Sequence, residues 1–80
     1  MSTVYGDRPL WSGPSPVSGE VQLRAHGSPV PAVVSLAGGE LMASLRQPAR
    51  GIAAGQAVVA YRPDPAGDVV LGSATIVEAR

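Results

Sequence analysis

Residues 48–76 read PARGIAAGQAVVAYRPDPAGDVVLGSATI, and this stretch decides the fold. It holds two apolar, β-branched runs, residues 56–62 and 68–77, joined by RPDPAGD. Pro63 and Pro65 preset φ, Asp64 caps its own backbone, and Gly67 accepts a positive φ. Two strand-like runs around such a linker predict a β-hairpin with a longer loop. Gly72 interrupts the second run and predicts a bulge, or a bend that helps a sheet curl. A glycine-rich approach, Arg50-Gly51-Ile52-Ala53-Ala54-Gly55, leads into the first run.

Working outward, residues 20–26 alternate. Val21, Leu23 and Ala25 share one face, and Gln22, Arg24 and His26 share the other, the period of a half-buried strand. Gly27-Ser28-Pro29 is a turn signal. Residues 32–36 form the next strand, and Gly38-Gly39 turns tightly into residues 40–46, with Leu41, Ala43 and Leu45 on one side. Pro48 ends that run. Residues 1–16 are punctuated by Gly6, Pro9, Gly13, Pro14 and Pro16, so only short extended pieces are expected there, at 3–5 and 8–11. Trp11, the largest apolar group, is expected to plug the core or its rim, with stacking on a nucleobase as the other use of such a ring. No window of eleven residues carries a 3.6-residue apolar stripe, so helix content should be minimal. Six or so short strands joined by Gly/Pro turns predict an all-β fold, a small antiparallel β-barrel. Closure suits so small a chain because it removes exposed sheet edges.

Eighty residues make a single domain, 1–80, with no Cys to staple it. The core must be light: there is no Phe, one Trp and two Tyr. Six basic residues balance six acidic ones, which excludes a nucleic-acid binder held by bulk charge. All six basic residues are Arg. Arg is the better phosphate fork, while a lysine-free, Ala/Gly/Pro-rich chain is also what a GC-rich genome writes. No apolar run approaches the roughly 20 residues that span a bilayer. Residues 1–10 lack the regions of a secretory signal, so a cytoplasmic location is expected.

Catalytic chemistry finds no foothold. His26 is the sole histidine and, without Cys, makes no metal spacing. The serines lie in no G-x-S-x-G pattern. The carboxylates fall mostly at turns or strand ends. Gly51 and Gly55 are followed by neither Lys-Ser/Thr nor a helix, so they form no phosphate loop. Neither a catalytic residue, a cofactor nor a metal is expected in this chain. Binding remains: if the ends that carry Arg24, His26, Arg46, Arg50 and Arg62 converge at one rim, three or four positive groups there would grip a phosphate backbone in a salt-sensitive, sequence-independent way. Otherwise they solvate outward faces.

The ordered set Arg50-Gly51-Ile52-Ala53-Ala54-Gly55-Gln56-Ala57-Val58-Val59-Ala60-Tyr61 and Val70-Leu71-Gly72-Ser73-Ala74-Thr75-Ile76 resembles the close of bacterial tRNA-specific 2-thiouridylases, nearest the actinobacterial branch. Those enzymes end in a "PGQ…V.Y" strand, a short turn and an "LGGG.I" strand. Val21-Gln22-Leu23-Arg24-Ala25-His26 with Pro31-Ala32-Val33-Val34 is similar to their "V.IRYR…A.V" hairpin, and Arg8-Pro9-Leu10-Trp11 to the segment before it. The likeness covers most of residues 8–77, leaves residues 1–7 poorly matched, and concerns only the C-terminal domain, a barrel related to the second domain of translation elongation factors. Ala54 stands where Pro is usual, and Ser73-Ala74 replaces two glycines. The opening strand is missing or reduced to residues 3–5. The ATP-binding loop and the two sulfur-handling cysteines of the N-terminal catalytic domain are absent, so ATP is implied for that domain alone. The chain then reads as a piece of the enzyme, a split product or a remnant.

The resemblance implies an accessory domain that helps hold tRNA during wobble-uridine 2-thiolation and packs on the catalytic domain. It carries over an RNA-facing role for Arg24, His26 and Arg50. The competing reading is a structural or protein-interaction barrel with no RNA contact, showing an exposed apolar patch that includes Val33, Met42 and Val58.

Overall fold

The computed structural model describes residues 2–23, 28–47 and 51–80, and within them the runs with a period of two form strands, except that residues 24–26 of the run 20–26 lie outside the described residues. The strands are β1 (Ser2–Trp11), β2 (Val17–Gln22), β3 (Val30–Ala37), β4 (Glu40–Leu45), β5 (Ala57–Arg62) and β6 (Val69–Ala79), with no helix among the described residues. They close into a barrel in the order β1-β4-β3-β2-β5-β6, with every neighbouring pair antiparallel. Among the described residues no helix is long and apolar enough to cross a membrane.

Alternation sends one side chain in two to the barrel axis. Val4, Val21, Val34, Leu41, Leu45, Val58 and Ile76 are fully buried, with Ala32, Ala43, Ala60 and Ala74 filling the narrow spaces between them. Val58 is therefore core, not part of an outer patch as the protein-interaction reading expected: β5 presents Val58 and Ala60 inward. Val33 and Met42 are half-buried.

The turns follow their residues. Gly38 and Gly39 take φ of 58° and 80° between β3 and β4, the pair of positive angles a two-residue hairpin turn requires. In the β5–β6 loop the Asp64 carboxylate accepts the Ala66 N–H at 2.9 Å, and its carbonyl accepts the Gly67 N–H at 2.9 Å. The Ser15 hydroxyl oxygen accepts the Leu36 N–H at 2.9 Å and ties the β1–β2 connection to β3.

The opening strand corrects the sequence reading. β1 is continuous over ten residues and pairs on both sides; Gly6 and Pro9 do not break it. Gly6 is buried on the core side, and Pro9 falls in a bulge. β1 meets β6 at Asp7↔Thr75 and again at Leu10↔Ser73, so Arg8 and Pro9 together oppose one residue. Arg8 takes φ 53° there, with its N–H held by the Asp7 carboxylate at 2.9 Å. The extra residue reverses the alternation. Val4 and Gly6 face in, but beyond the bulge Trp11 packs against the core and Leu10 faces water.

β6 does the same opposite β5. Ala60 pairs with Gly72 and Tyr61 with Val70, leaving Leu71 as the extra residue beside Gly72. Leu71 is buried and Val70 faces out. Gly72 is required by proximity: a Cβ there would collide with the Leu10 carbonyl oxygen and sit 2.8 Å from the Trp11 ring.

Strand boundaries elsewhere move by a few residues. β2 begins at Val17 rather than residue 20 and ends at Gln22, and β3 starts at Val30.

Candidate nucleic-acid interface

The barrel has two ends. At one lie the β1–β2, β3–β4 and β5–β6 connections. At the other lie the β2–β3 and β4–β5 connections, together with Ser2 and Arg80. Arg24, His26 and Arg50, the residues with an expected RNA-facing role, lie outside the described residues. Their described neighbours are at this second end: Leu23 and Ser28 flank one connection, and Arg46–Gln47 and Gly51 flank the other.

Two of the described arginines join them there. Arg46 is exposed, and its N–H donates to the Pro31 carbonyl at 2.9 Å, fixing where β4 ends. Arg80 extends the β1–β6 ladder: its N–H donates to the Thr3 carbonyl at 2.8 Å and its carbonyl accepts from Thr3 at 2.7 Å. Its guanidinium donates to Glu78 at 3.0 Å and lies 4.9 Å from the Tyr5 ring centroid. The Glu78 hydrogen bond, then its charge, raise the Arg80 pKa, so this cation is already engaged.

Arg62 does not converge with this group. It ends β5 against Val69 at the opposite end, because β5 and β4 run in opposite senses around the barrel. Of the five residues considered for one rim, Arg62 therefore stands apart from Arg46, and Arg24, His26 and Arg50 lie outside the described residues. The formal balance of charge conceals a polarity that composition could not show. Among the described residues Glu40, Asp64 and Asp68 stand toward the Trp11 end with Arg62 beside them, while Arg46 and Arg80 stand at the other end with Glu78.

The described part of the segment before β5 is anchored by packing and by backbone hydrogen bonds. Ile52 packs on the core. The Gly55 N–H donates to the Ile76 carbonyl at 2.8 Å, and the Ile76 N–H donates to Gln56 at 2.7 Å. The Tyr61 hydroxyl donates to Gln22 at 3.2 Å across β5 and β2, a cross-strand pair the sequence did not reveal. Among the described residues no group of three or more His, Cys, Asp or Glu is placed to hold a metal ion.

Fold and surface together define a small closed barrel domain that presents surfaces from a rigid apolar centre. The chain belongs to the aminomethyltransferase β-barrel domain family, whose model matches residues 2–76. The match begins at Ser2. The chain is 60% identical over 80 residues to the tRNA-specific 2-thiouridylase MnmA of Salinispora arenicola, with 95% of this chain and 22% of that protein covered. It is 61% identical to the Salinispora tropica enzyme of the same name, with the same coverage. Against that of Mycobacterium tuberculosis it is 52% identical over 83 residues, covering 99% of this chain and 23% of the relative. It spans less than a quarter of these relatives' length. The actinobacterial 2-thiouridylase resemblance read from residues 8–77 is thereby established. No solved structure matches the chain.

Proposed function

We propose that this barrel is the accessory domain of a tRNA wobble-uridine 2-thiolation enzyme, contributing RNA contacts and no chemistry of its own. The observation that carries the reading is 60% identity across 95% of the chain to a tRNA-specific 2-thiouridylase. The RNA-contacting groups are Arg24, His26 and Arg50, supplemented by Arg46. Guanidinium groups suit phosphate contacts, which position a nucleic acid without reading its sequence. Adenylation of the uridine with ATP and delivery of sulfur belong to a separate catalytic domain, the second partner of this barrel.

The test is fluorescence anisotropy of labelled tRNA titrated with the chain at low salt. Arg50→Glu and Arg24→Glu each weaken binding across all tRNA sequences and reduce the salt slope by about 1. Equal affinity for the parent chain and both variants would remove the RNA-contacting role.

A further inference from the structure

The two bulges at the Trp11 end have a joint result. Each reverses the alternation of its strand, and each exchanges which of two consecutive residues faces out. In β1, Trp11 goes in and Leu10 goes out, 74% exposed; in β6, Leu71 goes in and Val70 goes out, 57% exposed. Uninterrupted strands would have buried both aliphatic side chains. Instead they line one open groove of about 470 Å³ with Trp11, Ser12, Leu71, Gly72 and Ser73. The β1 bulge holds Arg8, a non-glycine residue, at φ 53°. Backbone strain of that kind, ~1–3 kcal/mol, persists where the fold over-determines it and concentrates at functional positions. Bulges re-aim side chains.

We infer that this groove is a docking surface for the part of the 2-thiouridylase polypeptide that lies outside the barrel, an apolar protein face that receives Leu10 and Val70. The inference rests on the accessory-domain reading above. Area selects the occupant. Stable association of separate chains buries about 800 Å² on each partner, and a patch built on Leu10, Val70 and the neighbouring Val69 supplies only a few hundred. A tethered partner needs less, because the linker provides the effective concentration. The matched segment is only 22% of the relatives' length, so each of them holds such a tethered partner. Among the described residues no basic side chain lines the groove, so it suits protein rather than phosphate.

The experiment replaces the matched segment of the Salinispora arenicola enzyme with this chain and compares that chimera with its Leu10→Glu/Val70→Glu variant. The expected result is at least tenfold faster protease release of the barrel from the variant, and division of one calorimetric transition into two. Val77→Glu, exposed at the other end of β6, changes neither. The double variant of the isolated 80-residue chain melts as the parent does, which separates undocking from unfolding. Unchanged release would overturn the inference. So would a dimer of the isolated chain that the double variant dissolves, since the groove would then serve a second copy. Thiouridine formation by the unsubstituted chimera is scored separately. Its loss would count against the accessory-domain reading, while the proteolysis still decides the docking surface.

Discussion

Gly72 and Gly39 show two ways in which a single residue can be fixed by its surroundings. At Gly72 the constraint is space, since a methyl group would enter the Leu10 carbonyl and the Trp11 ring. Gly72→Ala should therefore destabilise the barrel by about 3 kcal/mol, the upper part of the overpacking range, read as a lowered urea midpoint. At Gly39 nothing lies within 4 Å, but φ is 80°. Gly39→Val should lose ~1–2 kcal/mol, and Gly39→Asn much less, because Asn tolerates the left-handed region. Equal losses from the two substitutions would show that the turn relaxes. Both glycines were legible as special positions from sequence: one interrupts an apolar strand, and the other sits in a Gly-Gly pair between strands. What Gly72 touches was not legible, because Trp11 lies some sixty positions away in sequence and reaches it only through β1–β6 pairing. Leu45, by contrast, is ordinary core. Leu45→Ala should cost about 2–5 kcal/mol.

At the scale of the strand, register decides what sequence pattern alone cannot. Alternation in β4 needed no correction, since Leu41, Ala43 and Leu45 share the buried face, whereas in β5 Val58 turns from the expected outer patch to the core. β1 resisted because it carries an extra residue, and a period of two is defined only until a bulge resets it. In β6 Gly72 marked the bulge at Leu71, while the second extra residue, Val77 opposite β1, had no such sign. Gly6 and Pro9 read as breaks. In the folded chain one faces the core and the other is absorbed in the bulge. Deleting Arg8 tests this account. The shortened β1 should return Leu10 to the core side and turn Trp11 outward, so the emission of the sole tryptophan shifts toward that of the ring in water. Unchanged emission would mean that the bulge migrates instead of vanishing. Arg8→Gly keeps the extra residue and removes the side-chain penalty of φ 53°. Relief of ~1–2 kcal/mol is offset by the greater freedom of glycine in the unfolded chain, ~0.5–1 kcal/mol. A gain of about 0.5 kcal/mol in unfolding free energy should remain.

Across the whole molecule, 32 × 27 × 21 Å in extent, the antiparallel order sorts connections to two ends and so sorts charge. A sequence with six cations and six anions gives no net field, and this is why composition excluded binding by bulk charge while leaving local binding open. Arg24, His26 and Arg50 were singled out from sequence, and they fall outside the described residues. Arg46, described at that end, is the cation through which the proposed interface can be tested against its topology. If Arg24, Arg46 and Arg50 each displace a counterion from tRNA, three phosphates are neutralised. The slope of log affinity against log salt is then about −0.7 to −0.9 for each phosphate. Raising salt from 50 to 200 mM should therefore weaken binding roughly 20- to 40-fold. Arg46→Glu should flatten that dependence. Arg62→Glu reverses the same charge at the opposite end of the barrel, and should leave both affinity and slope where they were. A response to Arg62→Glu as large as that to Arg46→Glu would mean that tRNA senses the summed charge of the domain, and that the sorting of its connections has no part in binding.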